Sequence, residues 1–120
     1  MNRFGPTIVY ADDPVFKSDM LGLQEKYTSL ETDIQHVIRQ LEARILWGER
    51  CTEIQHTNVT RISVSIKDLG AGVGKNRCTV LIERDEIGVH LKGLYDNDVF
   101  PKYFDTGAVD FVKSRFPLPD

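Results

Sequence analysis

Arg61, Lys67, Arg77, His90 and Lys92 fall at positions that can share one surface. Arginine and lysine are permanently charged near neutral pH, and histidine titrates there. Together they would form a cationic face carrying a proton-exchanging group, a surface that favours a polyanion. The charge along the chain agrees. Residues 61–95 carry a net +2, whereas residues 1–60 carry −3 and residues 96–120 carry −2. The whole chain, at −3, would repel a polyanion at long range.

Strands are needed to position these groups. In Arg61–Lys67 the residues alternate: Ile62, Val64 and Ile66 point one way, and Arg61, Ser63, Ser65 and Lys67 the other. Lys75-Asn-Arg-Cys-Thr-Val-Leu-Ile-Glu83 reads as a second strand. Ile87-Gly-Val-His-Leu-Lys-Gly-Leu-Tyr95 reads as a third, with Val89 and Leu91 on one face and His90 and Lys92 on the other. The Gly70-Ala-Gly-Val-Gly-Lys75 connection has a glance of a phosphate loop. It lacks the Lys-Ser/Thr ending and the following helix, so it reads as a flexible hairpin loop.

The remaining segments frame this sheet. Thr7–Tyr10 predicts a short edge strand. Asp13-Pro14 predicts a helix start, with Asp as N-cap and Pro where a missing N–H costs nothing. Phe16, Met20, Leu23 and Tyr27 then make one apolar stripe. Ser29 is the expected cap of a second helix carrying Leu30, Ile34, Val37, Ile38, Leu41 and Ile45, with Gly48 as its stop. The short link makes an αα-hairpin. Residues 49–60 show no period and read as a polar connection, with His56 at the surface; His36 reads as a boundary histidine. Val99, Phe100, Tyr103 and Phe104 are expected to pack. Thr106 is placed to cap a short helix with Val109, Val112 and Phe116 on one side, ended by Pro117 and Pro119.

The 120 residues suit a single domain, 1–120, of α+β class: a short N-terminal strand, an αα-hairpin packed on one face of a small antiparallel sheet, and a short C-terminal helix. An apolar content of 41% with 28% charged residues fits a globular chain rather than a disordered one. No apolar run approaches the roughly 20 residues of a membrane span. Met1–Pro6 lacks a secretory pattern, so a cytoplasmic location is expected. Cys51 and Cys78 are then reduced thiols, and no Cys or His spacing suggests a metal site. No cofactor is expected.

The order of strand, αα-hairpin and three-strand meander resembles the RelE/ParE superfamily of bacterial toxins, most of all its HigB-like branch. The matching stretches are Pro14-Val-Phe-Lys17 through Leu23-Gln-Glu-Lys-Tyr27, Gly74-Lys-Asn-Arg-Cys-Thr-Val-Leu-Ile82 and Leu91-Lys-Gly-Leu-Tyr95. They extend over most of residues 7–95, and residues 96–120 match nothing. The resemblance implies a type II toxin neutralised by a cognate antitoxin. It implies an open basic face that meets messenger RNA on the ribosome and cuts it without a metal. Arg77 would then contact the scissile phosphate, with Arg61, Lys67, Lys75 and Lys92 as further RNA-binding groups. His90 and Tyr95 would supply the catalytic acid or base, and Glu83, by its parity with Arg77, is another candidate base. The residue types suit that chemistry. The 2′-hydroxyl attacks its own phosphate, a base takes the proton, an acid protonates the leaving oxygen, and an arginine fork holds the charged phosphate.

Each residue has an ordinary alternative. Arg77 can be a surface strand arginine, Lys67 and Lys75 solvated turn lysines, His90 a half-exposed strand histidine, and Tyr95 a packing residue. The sequence pI of about 5.6 and the acidic Asp96 and Asp98 depart from the family's basic pattern. Acidic groups beside an RNA face weaken binding by like-charge repulsion. The second reading is therefore a non-catalytic or ParE-like protein on the same scaffold, binding gyrase or another partner. It requires that Arg77 and His90 do not converge, or that the C-terminal segment covers the face.

Overall fold

In the computed structural model, residues 9–10, 13–43, 48–70, 72–86, 88–99 and 106–118 are described; for Val9, Tyr10 and Thr106 this is the backbone alone. The elements are β1 (Val9–Tyr10), α1 (Pro14–Gln24), α2 (Leu30–Glu42), β2 (Glu49–Arg50), β3 (Asn58–Val64), β4 (Cys78–Arg84), β5 (Val89–Asp96) and α3 (Thr106–Arg115). The strands form one sheet in the order β1-β5-β4-β3-β2. The meander β3-β4-β5 is antiparallel, as expected. β1 is an edge strand, and it runs parallel to β5.

α1 starts where Asp13-Pro14 predicts. The Asp13 carboxylate accepts from the amides of Val15 at 2.9 Å and Phe16 at 3.1 Å, two donors that the first turn otherwise leaves unpaired. The helix ends at Gln24, one turn before the expected stripe runs out, and Tyr27 buries its ring in the link. Ser29 stands before α2 without capping it. Its hydroxyl instead donates to Asp33 Oδ2 at 2.7 Å, and that carboxylate also accepts from the Lys67 amide at 3.2 Å. A turn of helix after β3 is thereby tied to the first turn of α2.

The αα-hairpin covers one face of the sheet. Phe16, Leu30, Ile34 and Leu41 pack there in one core with Val64, Val80, Ile82 and Leu91. The predicted inward set of the first strand, Ile62, Val64 and Ile66, belongs to this core.

A second core lies on the opposite face. Cys51, Ile54, Val59, Leu81, Tyr95, Val112 and Phe116 are buried together, so α3 and the chain after β2 roof that side. Residues 49–60 are therefore not a plain polar connection. Glu49 and Arg50 pair with Arg61 and Thr60, and Cys51 and Ile54 are fully enclosed. Val99, expected to pack, is 64% exposed. Thr7, Ile8, Ile45, Phe100, Tyr103, Phe104 and Pro119 lie outside the described residues.

The β4–β5 ladder contains a bulge. Leu81 pairs with Gly93 and Ile82 with Leu91, which leaves Lys92 as the extra residue. The bulge switches the parity of β5, so Leu94 rejoins Leu91 in the hairpin-side core. Gly93 sits where a side chain would come 3.1 Å from the Leu81 methyl.

Candidate functional site

The expected cationic face is the one under α3, and it is not open. Arg61 is 8% exposed. Its guanidinium meets both carboxylate oxygens of Glu53 at 2.8 Å and the Cys51 sulfur at 3.3 Å. A buried guanidinium is stable only with such partners, since desolvating an unpaired charge is very costly. The reading of Arg61 as an exposed RNA ligand is thus corrected: it is a buried ion pair beneath the second core.

Lys92 is engaged as well. It is the extra residue of the bulge, and its ammonium reaches Asp13 Oδ2 at 2.9 Å, on the helix N-cap. Asp13 is shielded by burial, which raises a carboxyl pKa; the Lys92 ammonium and the two helix amides outweigh this and hold it below its usual value.

Arg77 precedes β4 at the end where Cys78 faces Asp96. His90 faces Glu83 near the other end. The six residues from Arg77 to Glu83 put roughly 20 Å between the two sites along the ladder. A single phosphate cannot touch both. His90 Nε2 lies 2.9 Å from Asp85 Oδ2, and Thr57 donates to the neighbouring Glu83 at 2.7 Å. Tyr95 faces Thr79, one row from Arg77, but only 4% of it is exposed. Burial raises its pKa, partly offset by a hydrogen bond from Thr79, and its ring meets Phe111 edge-on with centroids 5.2 Å apart.

Arg77 itself is held in an acidic network. Its guanidinium pairs with Asp98 Oδ1 at 3.0 Å, while Lys26 bridges Asp96 at 2.7 Å and Asp98 at 3.1 Å. The Asp96 side chain is 3% exposed and also accepts from the Tyr27 hydroxyl and the Asp98 amide. Burial alone would raise its pKa. The donors Lys26, Asp98 N–H and Tyr27 outweigh burial and hold it below the usual carboxylate value. Asp96-Asn97-Asp98 thus neutralises the arginine that would grip a phosphate.

Lys67 and Lys75 are exposed, and neither forms an ion pair with another described residue. They flank an open cleft of about 450 Å³ lined by Ser65 and the glycines of the hairpin loop. A different apolar surface lies on the outside of the αα-hairpin. There Met20, Leu21, Ile34 and Ile38 line a groove of about 310 Å³ with Gln24 and Gln35 at its rim. Leu21 is 68% exposed. No cluster of three His, Cys, Asp or Glu suited to a metal occurs among the described residues, and no helix among them is long and apolar enough to cross a membrane.

The run Val80-Leu81-Ile82 carried the signal for the covered face. Three consecutive apolar residues mark a strand buried on both sides, whereas a strand open on one side alternates. Comparison with known proteins adds no relative: no family model, curated protein or solved structure matches this chain.

Proposed function

We propose that this chain is a non-catalytic, cytoplasmic protein-binding member of the RelE/ParE-like scaffold, and that its partner is an antitoxin-type protein. The observation that carries the reading is the roof over the sheet: α3 and Cys51–Ile54 occupy the face that an RNA would need, with Arg61 buried beneath them. The separation of Arg77 from His90 and the Asp98 partner of Arg77 point the same way. The groove between α1 and α2 is the contact surface in this reading. An amphipathic helix laid there would remove Leu21 from water.

A second reading, a ribosome-associated messenger RNA endoribonuclease, is favoured by one observation: Lys67 and Lys75 are exposed and neither pairs with another described residue, as an RNA-binding surface requires.

Induced expression separates the two. Growth and new RNA 5′ ends are compared for wild type, Arg77→Ala and His90→Ala. The binding reading expects no new 5′ ends in any culture. New ends that Arg77→Ala abolishes would overturn it in favour of the ribonuclease. Partner binding is tested with the product of any adjacent small reading frame. A complex by size exclusion that Leu21→Glu abolishes supports the groove, and a complex indifferent to Leu21→Glu removes it.

A further inference from the structure

A cleft of about 540 Å³ lies between the Glu53–His56 segment and the end of α3, away from the groove on the αα-hairpin. Its size is ordinary for a small-molecule site. The floor is apolar: Ile54 and Phe116 line it and are themselves buried. Pro117 and Leu118 form a wall, and Leu118 holds 78% of its surface in water.

The rim is basic. Lys113 and His56 are exposed at the cleft, and neither forms an ion pair with another described residue. Glu53 is the one carboxylate among the lining residues, and Arg61 occupies both of its oxygens. Among the described residues the Lys113 charge at the rim thus meets no counter-charge, beside an apolar surface that water covers.

We propose that this cleft binds a small apolar carboxylate, an aliphatic or aryl acid of medium length. The carboxylate takes the Lys113 ammonium, with His56 as a second polar contact, and the apolar tail lies over Phe116 against Leu118. A neutral apolar molecule would leave the lysine without a counter-charge. A polyphosphate would waste the apolar floor and find a single permanent cation. The bound acid bridges α3 and the Glu53–His56 segment, so occupancy holds α3 on the sheet. The proposal goes beyond the protein-binding reading and does not depend on it.

The test is an amide-resolved NMR titration of the full chain with sodium octanoate, with octanamide and sodium chloride as controls. Lys113 is exposed, so Lys113→Gln keeps the fold. Saturable shifts centred on residues 53–56 and 113–118 are expected, together with a melting temperature raised by octanoate. Affinity is expected to fall about fivefold or more for Lys113→Gln and for octanamide, and to fall for Leu118→Ser. Shifts that fail to saturate, shifts centred on α1 and α2, or equal affinity for the amide or for Lys113→Gln would overturn the proposal.

Discussion

Arg115 of α3 closes on Asp19 of α1 through two contacts, Nη1 to Oδ2 at 2.6 Å and Nη2 to Oδ1 at 2.7 Å, although the two helices lie on opposite faces of the sheet. The pair passes around the β5 edge. Asp19 Oδ2 also accepts the Leu94 amide at 3.1 Å, and Arg115 donates to the Lys92 carbonyl at 3.3 Å. Among the described residues β1 pairs with Val89 and His90 on this edge. The ion pair therefore covers strand groups beyond these, where another strand would otherwise add.

Removing this clasp has a definite cost. Asp19→Ala strands the arginine and the Leu94 amide together, and about 2–3 kcal/mol of unfolding free energy should be lost. A double-mutant cycle with Arg115→Ala in urea should return about 1–2 kcal/mol of coupling. A coupling near zero would make the pair an ornament of the surface.

Acid should loosen the Asp96 network. The folded pKa of Asp96 lies below its ordinary 3.8, so its contribution is present above the unfolded value and is lost as pH falls through the folded one. Asp13 shifts in the same direction and shares the window. Urea midpoints should therefore drop on acidification below about pH 4. Asp96→Asn should lower stability at neutral pH and flatten that slope. An unchanged slope would assign the acid sensitivity to other carboxylates.

Two glycines should respond to alanine in opposite ways. At Gly74 a Cβ would stand 1.9 Å from the Ile66 carbonyl oxygen, backbone that cannot step aside. Gly74→Ala should cost about 2–4 kcal/mol. At Gly22, inside α1, a Cβ meets nothing within 4 Å. Gly22→Ala should stabilise by about 0.5–1 kcal/mol, because glycine is the costlier residue in a helix. Thermal melts of the two variants decide both.

The two thiols report on the two cores. Cys51 and Cys78 are each fully buried, one under α3 and the other on the αα-hairpin side. Burial pushes the Cys78 thiol up to about 12 and raises Cys51 as well, where the Arg61 guanidinium only partly offsets it. Neither should react with iodoacetamide in the native state, and both should in denaturant. Phe116→Ala should speed labelling of Cys51 while leaving Cys78 slow, read by peptide mass spectrometry. Equal acceleration of both would mean that the two faces open together.

The fold was readable where a local rule and the tertiary outcome agree. Asp13-Pro14 marks the start of α1 because capping is settled within one turn. Ile62, Val64 and Ile66 face inward because alternation is a property of the strand itself. The site was less readable, since strand parity says which residues share a face and nothing about whether a remote segment covers it. Arg61 looked like a surface cation because its partners, Glu53 and Cys51, lie in a stretch without periodicity. Lys92 falls in a bulge that strict alternation overlooks, although Gly93 and the three-residue step from Leu91 to Leu94 mark it. Arg77 stands just before β4, and its Asp98 neighbour follows from the turn after β5, which the pattern of one strand does not show.

β4 contributes Cys78, Val80 and Ile82 to one core and Leu81 to the other. It is also hydrogen-bonded on both edges, to β3 and to β5. Solvent can reach its central amides only when both layers have left. The amide protons of Val80, Leu81 and Ile82 should therefore exchange with deuterium at the rate of global unfolding, while those of α3 exchange by a cheaper, partial opening. The strand whose centre carries no free surface would set the clock for the whole molecule.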